Sequence, residues 1–354
     1  MDIRIEKIAT PKQKPDESAL GFGQYFTDHM FIMDYTREKG WHDARIVPFG
    51  NLSLHPACTV FHYGAEIFEG MKAYRAADGS IQLFRPEQNF ARLNSSAERM
   101  RLPLVDEKFA LEALTTLINL DADWVPHAPG TSLYIRPFLF GADPKLGVHS
   151  IDRSVFIIIL SPVGSYYKEG INPVKIMIET EDVRAVRGGT GYTKCGGNYG
   201  ASNRAGEKAE QAGYSQVLWL DGVERKYIEE VGAMNVMFKI GDEIVTPALT
   251  GSILPGITRN SILQILRDEG ANVSERLISI DELIDALEKG ELKEGWGCGT
   301  AAVVSPIGQL YYNGKTYTIN EGKIGDTTQH LYDILTGIQW GKIADTRGWV
   351  YPVK

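Results

Sequence analysis

A lysine lies in a glycine-rich stretch near the middle of the chain. Residues 191–200 read Gly-Tyr-Thr-Lys-Cys-Gly-Gly-Asn-Tyr-Gly, and the glycines after Lys194 allow the backbone to bend sharply and approach a ligand closely. A solvated surface charge is the commonest role for a lysine. A nucleotide phosphate loop is disfavoured, because it needs glycine directly before its lysine and Ser or Thr directly after it, where Thr193 and Cys195 stand. A third interpretation is a reactive lysine that forms a Schiff base with pyridoxal phosphate.

The chain also contains the two other groups that such a lysine requires. Bound pyridoxal phosphate needs a partner for its pyridine nitrogen and a cradle for its phosphate. Residues 229–235, Glu-Glu-Val-Gly-Ala-Met-Asn, offer a carboxylate. Residues 254–259, Leu-Pro-Gly-Ile-Thr-Arg, open a helical pattern whose first amides suit a phosphate. The three segments together favour the reactive lysine.

Patterns in the first half of the chain predict a small α+β domain that positions these groups. Residues 61–72 indicate a short helix that turns into a strand, and Asp78-Gly79 is a strong hairpin signal. Pro86 suits the first turn of a helix in which apolar residues recur at helical spacing. The other elements predicted here are a helix over 109–120 and strands over 29–35, 132–139 and 155–160.

A break in both periodicities predicts a linker between two domains. The predicted organisation is an N-terminal domain over 1–161, a linker that could act as a lid over 162–173, and a larger C-terminal domain over 174–354. The elements predicted in the second domain are strands over 174–178, 216–221, 226–231, 235–240, 303–307, 309–312 and 316–319 and helices over 199–211, 258–267, 279–287 and 327–340.

Composition bounds the class of protein. The 354 residues, 43% of them hydrophobic, suffice for two domains with separate cores. A net charge of −8 without a basic stripe disfavours a nucleic-acid partner, and no apolar run is long enough to cross a membrane. Three well-separated cysteines predict neither a disulfide framework nor a metal site. An N-terminus without the apolar core of a signal peptide adds to the prediction of a cytoplasmic protein.

Four phrases are more specific than these patterns. They are Phe68-Glu69-Gly70-Met71-Lys72; Phe84-Arg85-Pro86 with Asn89 and Arg92; Lys194-Cys195-Gly196-Gly197-Asn198-Tyr199; and Glu230-Val231-Gly232-Ala233-Met234-Asn235. In this order and spacing they resemble the branched-chain-amino-acid aminotransferases, which are class IV pyridoxal-phosphate enzymes, and the resemblance runs from about Gly21 to Val353. It implies the two-domain fold type IV, with a small α+β domain, a larger domain with a β-barrel-like core and the cofactor at the domain interface.

The resemblance assigns cofactor roles to individual residues. Lys194 would carry pyridoxal 5'-phosphate as an internal aldimine and then move the proton between the substrate Cα and the cofactor. Glu230 would keep the pyridine nitrogen protonated, whereas Glu229 beside it is expected to be solvated, since neighbours in a strand face opposite ways. The remaining cofactor contacts would be a hydrogen bond from Tyr199 to the phenolic oxygen and phosphate contacts from Arg92, Ile257, Thr258 and Thr300.

The resemblance also assigns a substrate pocket. Phe22, Tyr63 and Phe68 would form an apolar wall, and Tyr134 with Arg136 would match the family's Tyr-x-Arg, whose arginine receives the second carboxylate of glutamate. The turn at Gly299-Thr300-Ala301 would receive the α-carboxylate. In this family the linker and a partner subunit close the pocket, so that a homodimer is implied, and the aromatic pair Tyr166-Tyr167 agrees with a lid.

The expected activity is reversible ping-pong transamination of L-leucine, L-isoleucine and L-valine with 2-oxoglutarate. The alternatives are a D-amino-acid transaminase or an aminodeoxychorismate lyase of the same class, a pyridoxal-phosphate-binding protein without catalysis, and a nucleotide-binding module. Two departures from the family pattern are visible. Ala302 and Ser305 replace the Cys-x-x-Cys of vertebrate members, which excludes a thiol switch there, and Ala233 replaces a threonine that touches the cofactor in many members.

Overall fold

The computed structural model describes residues 1–164 and 171–353. Tyr166 and Tyr167, to which the sequence assigns a lid, lie outside the described residues. Contacts divide the described chain into two compact units, one of residues 1–164, 193–196 and 337–353 and the other of residues 171–192 and 197–336. Residues 193–196 and 337–353 thus belong to the first unit although they follow the second unit's first residues in the chain, whereas the predicted domains are contiguous. Sequence patterns assign a residue by its neighbours in the chain and not by the core in which it packs.

The described residues form eighteen strands and eight α-helices. The strands are β1 Arg4–Ile5, β2 His29–Thr36, β3 Gly40–Pro48, β4 Glu66–Phe68, β5 Met71–Arg75, β6 Ile81–Phe84, β7 Ser132–Gly141, β8 Arg153–Val163, β9 Val174–Ile178, β10 Gln216–Leu220, β11 Ile228–Val231, β12 Asn235–Ile240, β13 Glu243–Pro247, β14 Asn272–Arg276, β15 Leu292–Gly299, β16 Val303–Tyr312, β17 Lys315–Thr318 and β18 Val350–Val353. The helices are α1 Thr59–Tyr63, α2 Pro86–Met100, α3 Glu107–Leu120, α4 Gly196–Gly200, α5 Asn203–Gln211, α6 Ile257–Asp268, α7 Ile280–Glu288 and α8 Asp326–Gln339. None of these helices is long and apolar enough to cross a bilayer.

The first unit is built on a nine-stranded sheet in the order β1-β3-β2-β8-β7-β5-β6-β18, with β4 paired to β7. All pairs in this sheet are antiparallel except the short β1 and β3 pair. Helices α2 and α3 turn their apolar residues, recurring at helical spacing, into the same core as Phe31 and Ile135 of the sheet. Pro86 is the first residue of α2, as predicted.

The second unit is built on another nine-stranded sheet in the order β11-β10-β9-β16-β15-β12-β13-β14, with β17 paired to β16. It is mixed, because β9 runs parallel to β10 and β16, and β13 runs parallel to β14. The predicted cap of α7 is confirmed, since the Ser279 side chain accepts a hydrogen bond from Glu282 N.

Two differences from the predicted elements have physical causes. The single helix predicted over 199–211 is two helices, α4 and α5, because Ala201 and Ser202 form a turn between them. Strand β15 has no predicted counterpart, since its glycines mask the strand pattern. These glycines permit close packing: a Cβ at Gly297 would lie 2.8 Å from Met234 Cε, and one at Gly295 would lie 3.1 Å from Phe238 Cδ1.

Candidate functional site

The backbone of Lys194 is held in the first unit from two sides. Its amide donates to Ser96 Oγ on α2 at 3.1 Å, and its carbonyl accepts from Phe68 N on β4 at 2.9 Å. The next side chain, Cys195, is buried in the core beneath α2 and the sheet. This anchoring explains why residues 193–196 belong to the first unit and leaves the Lys194 side chain positioned by rigid elements.

The ring of Phe68 brings the lysine together with the predicted substrate residues. Lys194 Nζ lies 4.7 Å from the centre of this ring, and the guanidinium carbon of Arg136 lies 4.5 Å from it. Arg136 Nη2 donates to the hydroxyl of Tyr134 at 3.0 Å, and the half-exposed ring of Phe22 packs edge-on against Tyr134 at 4.8 Å between centroids. Tyr134 and Arg136 share one face of β7, as residues two apart in a strand must.

Two other features of the first unit bear on the predicted wall. Gly70 is required beside Tyr134, because a Cβ there would collide with the tyrosine hydroxyl. Tyr63 lies on the exposed helix α1, and its hydroxyl accepts a hydrogen bond from Gly147 N at 2.6 Å. The structure therefore brings Phe22, Phe68, Tyr134 and Arg136 together and places Tyr63 on the surface of the unit.

Arg92, the predicted phosphate ligand, is oriented by a buried carboxylate that has no assigned role in the sequence prediction. Arg92 Nε and Nη2 donate to the two oxygens of Glu69 at 2.7 and 2.8 Å, and Asn89 Nδ2 donates to the same carboxylate at 2.8 Å. Burial raises the pKa of Glu69, but the charges of Arg92 and Lys194 and these hydrogen bonds outweigh it and hold the pKa below its usual range. The signal for Glu69 was present in the Phe-Glu-Gly-Met-Lys phrase.

A second carboxylate, Glu66 on β4, contacts the lysine segment directly. Gly196 N donates a short hydrogen bond to Glu66 Oε1, and a Cβ on Gly196 would collide with that oxygen. Burial raises the pKa of Glu66, against the opposing effects of the Gly196 amide and the Arg136 charge. The glycine at position 196 thus serves a close approach between the lysine segment and β4.

Gly196→Ala tests this close approach. The methyl group displaces the Glu66 carboxylate and breaks one hydrogen bond, which we expect to lower the free energy of unfolding by about 1 kcal/mol. Chemical denaturation measures the loss, and Gly197→Ala is the matched control, because a Cβ at Gly197 meets nothing within 4 Å. Equal stability of the two variants would contradict the contact.

The second unit holds the predicted pyridine partner. Glu230 on β11 is buried, its Oε1 accepts from Leu254 N at 2.8 Å, and its Oε2 lies 3.4 Å from Arg184 Nε. Arg184 is itself buried and donates to the carbonyls of Gly191 and Ser252. An amide donor and a neighbouring guanidinium both stabilise a charged carboxylate. The sequence does not predict a role for Arg184, because an isolated arginine belongs to no recognisable motif.

The expectation that Glu229 is solvated is wrong. The residue is only 5% exposed, its Oε1 accepts a short hydrogen bond from Ser252 Oγ, and burial raises its pKa. Strand alternation does send Glu229 and Glu230 to opposite faces of β11, but all four residues of this strand are buried. Strand alternation therefore places the two side chains on opposite faces of β11, but it does not show that both faces are buried.

The predicted phosphate ligands lie where helices and turns begin. Helix α6 starts at Ile257 after Gly256, and no side chain caps its first turn. A Cβ at Gly256 would collide with Asn235 Oδ1, so that this N-cap position needs glycine. The first amides of a helix point out of its N-terminal end, roughly along the axis, and suit a phosphate. Thr300 and Ala301 lie in the turn between β15 and β16, and Tyr199 lies in α4.

Each unit, taken by itself, contains groups that pyridoxal phosphate requires. The first unit offers an amine and a guanidinium locked by Glu69, and the second offers a buried carboxylate paired with arginine and a helix start without a side-chain cap. An amine for the aldehyde, a carboxylate for the pyridine nitrogen and donors for the phosphate are the set of groups that this cofactor requires.

Comparison with known proteins identifies the family. The family model for amino-transferase class IV matches residues 66–310. Branched-chain-amino-acid aminotransferase 2 of Bacillus subtilis (strain 168) is 56% identical over 351 residues, which cover 99% of this chain and 97% of that protein. The crystal structure of the Escherichia coli branched-chain amino acid aminotransferase superimposes with a TM-score of 0.77 at 26% identity, covering 92% of this chain and 99% of that one. The branched-chain amino acid aminotransferase from T.th., solved with pyridoxamine 5'-phosphate, shares the fold with a TM-score of 0.76 at 24% identity, covering 91% and 98%.

The predicted α+β fold type IV is confirmed by these structures, and the predicted family is confirmed by the relatives. The cofactor of this class is pyridoxal 5'-phosphate, in agreement with the groups found here. The chain belongs to the branched-chain-amino-acid aminotransferases of the class IV aminotransferase family.

Proposed function

We propose that this chain catalyses the reversible transfer of the amino group between L-leucine, L-isoleucine or L-valine and 2-oxoglutarate. The observation that carries the proposal is the Phe68 ring, which has the Lys194 amine and the Arg136 guanidinium each within 5 Å of its centre. The reactive amine and the arginine that would bind a side-chain carboxylate thus lie on the same apolar ring. The relatives named as branched-chain aminotransferases support the same activity.

The proposed division of labour follows from the chemistry of each group. Pyridoxal 5'-phosphate supplies an electron sink for the negative charge that develops at the substrate Cα. Lys194 holds and returns the proton at that carbon, and Glu230 holds a proton at the pyridine nitrogen. Tyr199 would donate a hydrogen bond to the phenolic oxygen of the cofactor. The residues that would hold the phosphate are Arg92, Ile257, Thr258 and Thr300.

The substrate residues have to serve two kinds of side chain. Phe68, Phe22 and Tyr134 give an apolar wall for leucine, isoleucine or valine, to which Tyr63 also contributes in this proposal. Arg136 receives the second carboxylate of glutamate or 2-oxoglutarate through a charge-assisted hydrogen bond. The turn at Ala301 and Thr300 supplies amides for the α-carboxylate.

Spectroscopy of the two half-reactions tests the proposed function. We expect the visible band of the protein-bound cofactor to disappear when L-leucine is added and to return with 2-oxoglutarate. D-Alanine should leave the band unchanged, which separates this activity from that of a D-amino-acid transaminase. A band indifferent to L-leucine but bleached by D-alanine would refute the proposed substrate class.

We also propose that the chain forms a homodimer through an apolar surface of the first unit. Phe61 and Tyr63 on α1, together with Leu146 and Val148, are exposed, and the hydrogen bond from Gly147 N to the Tyr63 hydroxyl places the two segments side by side. Apolar side chains exposed together in this way are typical of interaction sites. Sedimentation equilibrium at micromolar concentration should give twice the chain mass, and the mass of a single chain would contradict a homodimer.

A cytoplasmic location is the last part of the proposal. Cys58, Cys195 and Cys298 are buried free thiols, as suits a reducing compartment. Fractionation of the cells that produce the protein should recover the transaminase activity in the cytoplasm, and recovery from an oxidising compartment would contradict this location.

A further inference from the structure

Glu66 lies on the same face of the sheet as the residues that read the substrate side chain. Strand β4 pairs antiparallel with β7, so that Glu66 lies opposite Phe140 and Phe68 lies opposite Phe138. Residues two apart in a strand share a face, which places Glu66 and Phe68 beside Arg136 of β7.

Two interactions define what Glu66 does in this position. Its Oε1 accepts the Gly196 amide two residues after Lys194, which ties the lysine segment to β4. Its negative charge interacts with the Arg136 guanidinium, which lies on the ring of Phe68. Glu66 therefore links the lysine segment to the arginine of the pocket.

In the proposed reaction the electrostatic surroundings of Arg136 differ between the two kinds of substrate. When an aliphatic side chain occupies the pocket, an arginine without a counter-charge would be costly beside it. When the second carboxylate of glutamate enters, two carboxylates must share one arginine, and like charges at short range favour protonation of one of them.

We propose that Glu66 is a specificity-determining residue, whose carboxylate balances Arg136 while an aliphatic side chain is bound and takes up a proton when a dicarboxylate binds. The inference rests on the proposed function for its choice of ligands. In each half-reaction one carboxylate then balances the Arg136 charge. This carboxylate is that of Glu66 when an aliphatic substrate is bound and that of the substrate side chain when a dicarboxylate is bound.

The surroundings of Glu66 favour this exchange. Burial raises the pKa of Glu66, which favours the protonated form that this exchange requires. Arg136 is the charge that acts on Glu66, whereas Lys194 and Arg92, on the other elements packed against β4, act on Glu69. The hydrogen bond from Gly196 survives protonation, because the remaining carbonyl oxygen still accepts it.

Ligand binding to the holoenzyme tests the inference without turnover. Calorimetry gives the dissociation constants of glutarate, a dicarboxylate, and 4-methylpentanoate, an aliphatic monocarboxylate, from about pH 6 to about pH 8. Binding coupled to proton uptake weakens as pH rises, so the ratio of the glutarate constant to the 4-methylpentanoate constant should rise by up to about tenfold per pH unit. Taking the ratio cancels titrations that both ligands share.

Glu66→Gln removes the charge and keeps an acceptor for Gly196. We expect a ratio independent of pH, with glutarate bound several-fold tighter and 4-methylpentanoate several-fold weaker than by the wild type at about pH 8. Glu112→Gln, an exposed carboxylate on α3, is the charge-matched control and should retain the wild-type slope.

Three results would overturn the inference: a wild-type ratio that does not change with pH, a Glu66→Gln slope equal to that of the wild type, or a holoenzyme that does not bind glutarate. The pH dependence of the wild-type ratio is measured without any variant, so it tests the inference even if Glu66→Gln fails to fold. A holoenzyme with the expected ratio that does not transaminate L-leucine leaves this inference standing and refutes the proposed function instead.

Discussion

Lys194→Ala abolishes transamination and leaves the protein folded. The side chain places an amine 4.7 Å from the centre of the Phe68 ring. The backbone at position 194 donates to Ser96 Oγ and accepts from Phe68 N, and alanine retains both of these hydrogen bonds. Removal of the group that we propose holds the Cα proton should lower the rate with L-leucine and 2-oxoglutarate by at least about 1000-fold. Steady-state kinetics and thermal unfolding measure the two effects separately.

Lys108→Ala is the matched control for this variant, because Lys108 is an exposed lysine in the first turn of α3. It should retain wild-type turnover. Near-normal turnover of Lys194→Ala would refute the role of this lysine, and loss of folding in Lys194→Ala alone would show that its side chain is structural.

Glu69→Gln destabilises the protein by about 3–5 kcal/mol, because it removes the charged partner from a buried ion pair with Arg92. The side chain of Glu69 is fully buried and that of Arg92 is 10% exposed, so water does not replace the lost partner. Denaturant unfolding at pH 7 measures the loss. Asp285→Asn breaks the exposed ion pair with Lys289 on α7 and should hardly change the midpoint, since solvent screens exposed pairs.

The cost of Glu69→Gln should also depend on pH. The pKa of Glu69 in the folded protein lies below its ordinary value of 4.5, so the carboxylate contributes its stabilisation above about pH 4.5 and loses it as pH falls through the lower folded-state pKa. The difference in unfolding free energy between wild type and variant should therefore be constant near neutral pH and shrink in acid. A difference that grows in acid would contradict the lowered pKa.

Most of the helices follow from the sequence because their signals are local; the predicted helix over 199–211, which is two helices, is an exception. Pro86 at the start of α2, the Ser279 cap of α7 and the spacing of apolar residues along α3 all lie within a few residues of one another. Strand pairing was not predictable in this way. One neighbour of β9 in the sheet is β16, more than a hundred residues away in the chain, and the glycines of β15 are explained only by the side chains that pack against them.

The sequence by itself determined which residues could do chemistry here, because the order and spacing of four phrases carry the family and its pyridoxal-phosphate chemistry. Only the tertiary structure decided what surrounds those residues. It pairs Glu69 with Arg92, sets Arg184 beside Glu230, joins Glu66 to Gly196 and buries Glu229. A strand pattern indicates which face of the sheet a side chain occupies. The charged groups near that face and the residues that bury it come from segments distant in the chain. These neighbours set the pKa values and the change in unfolding free energy that each substitution causes.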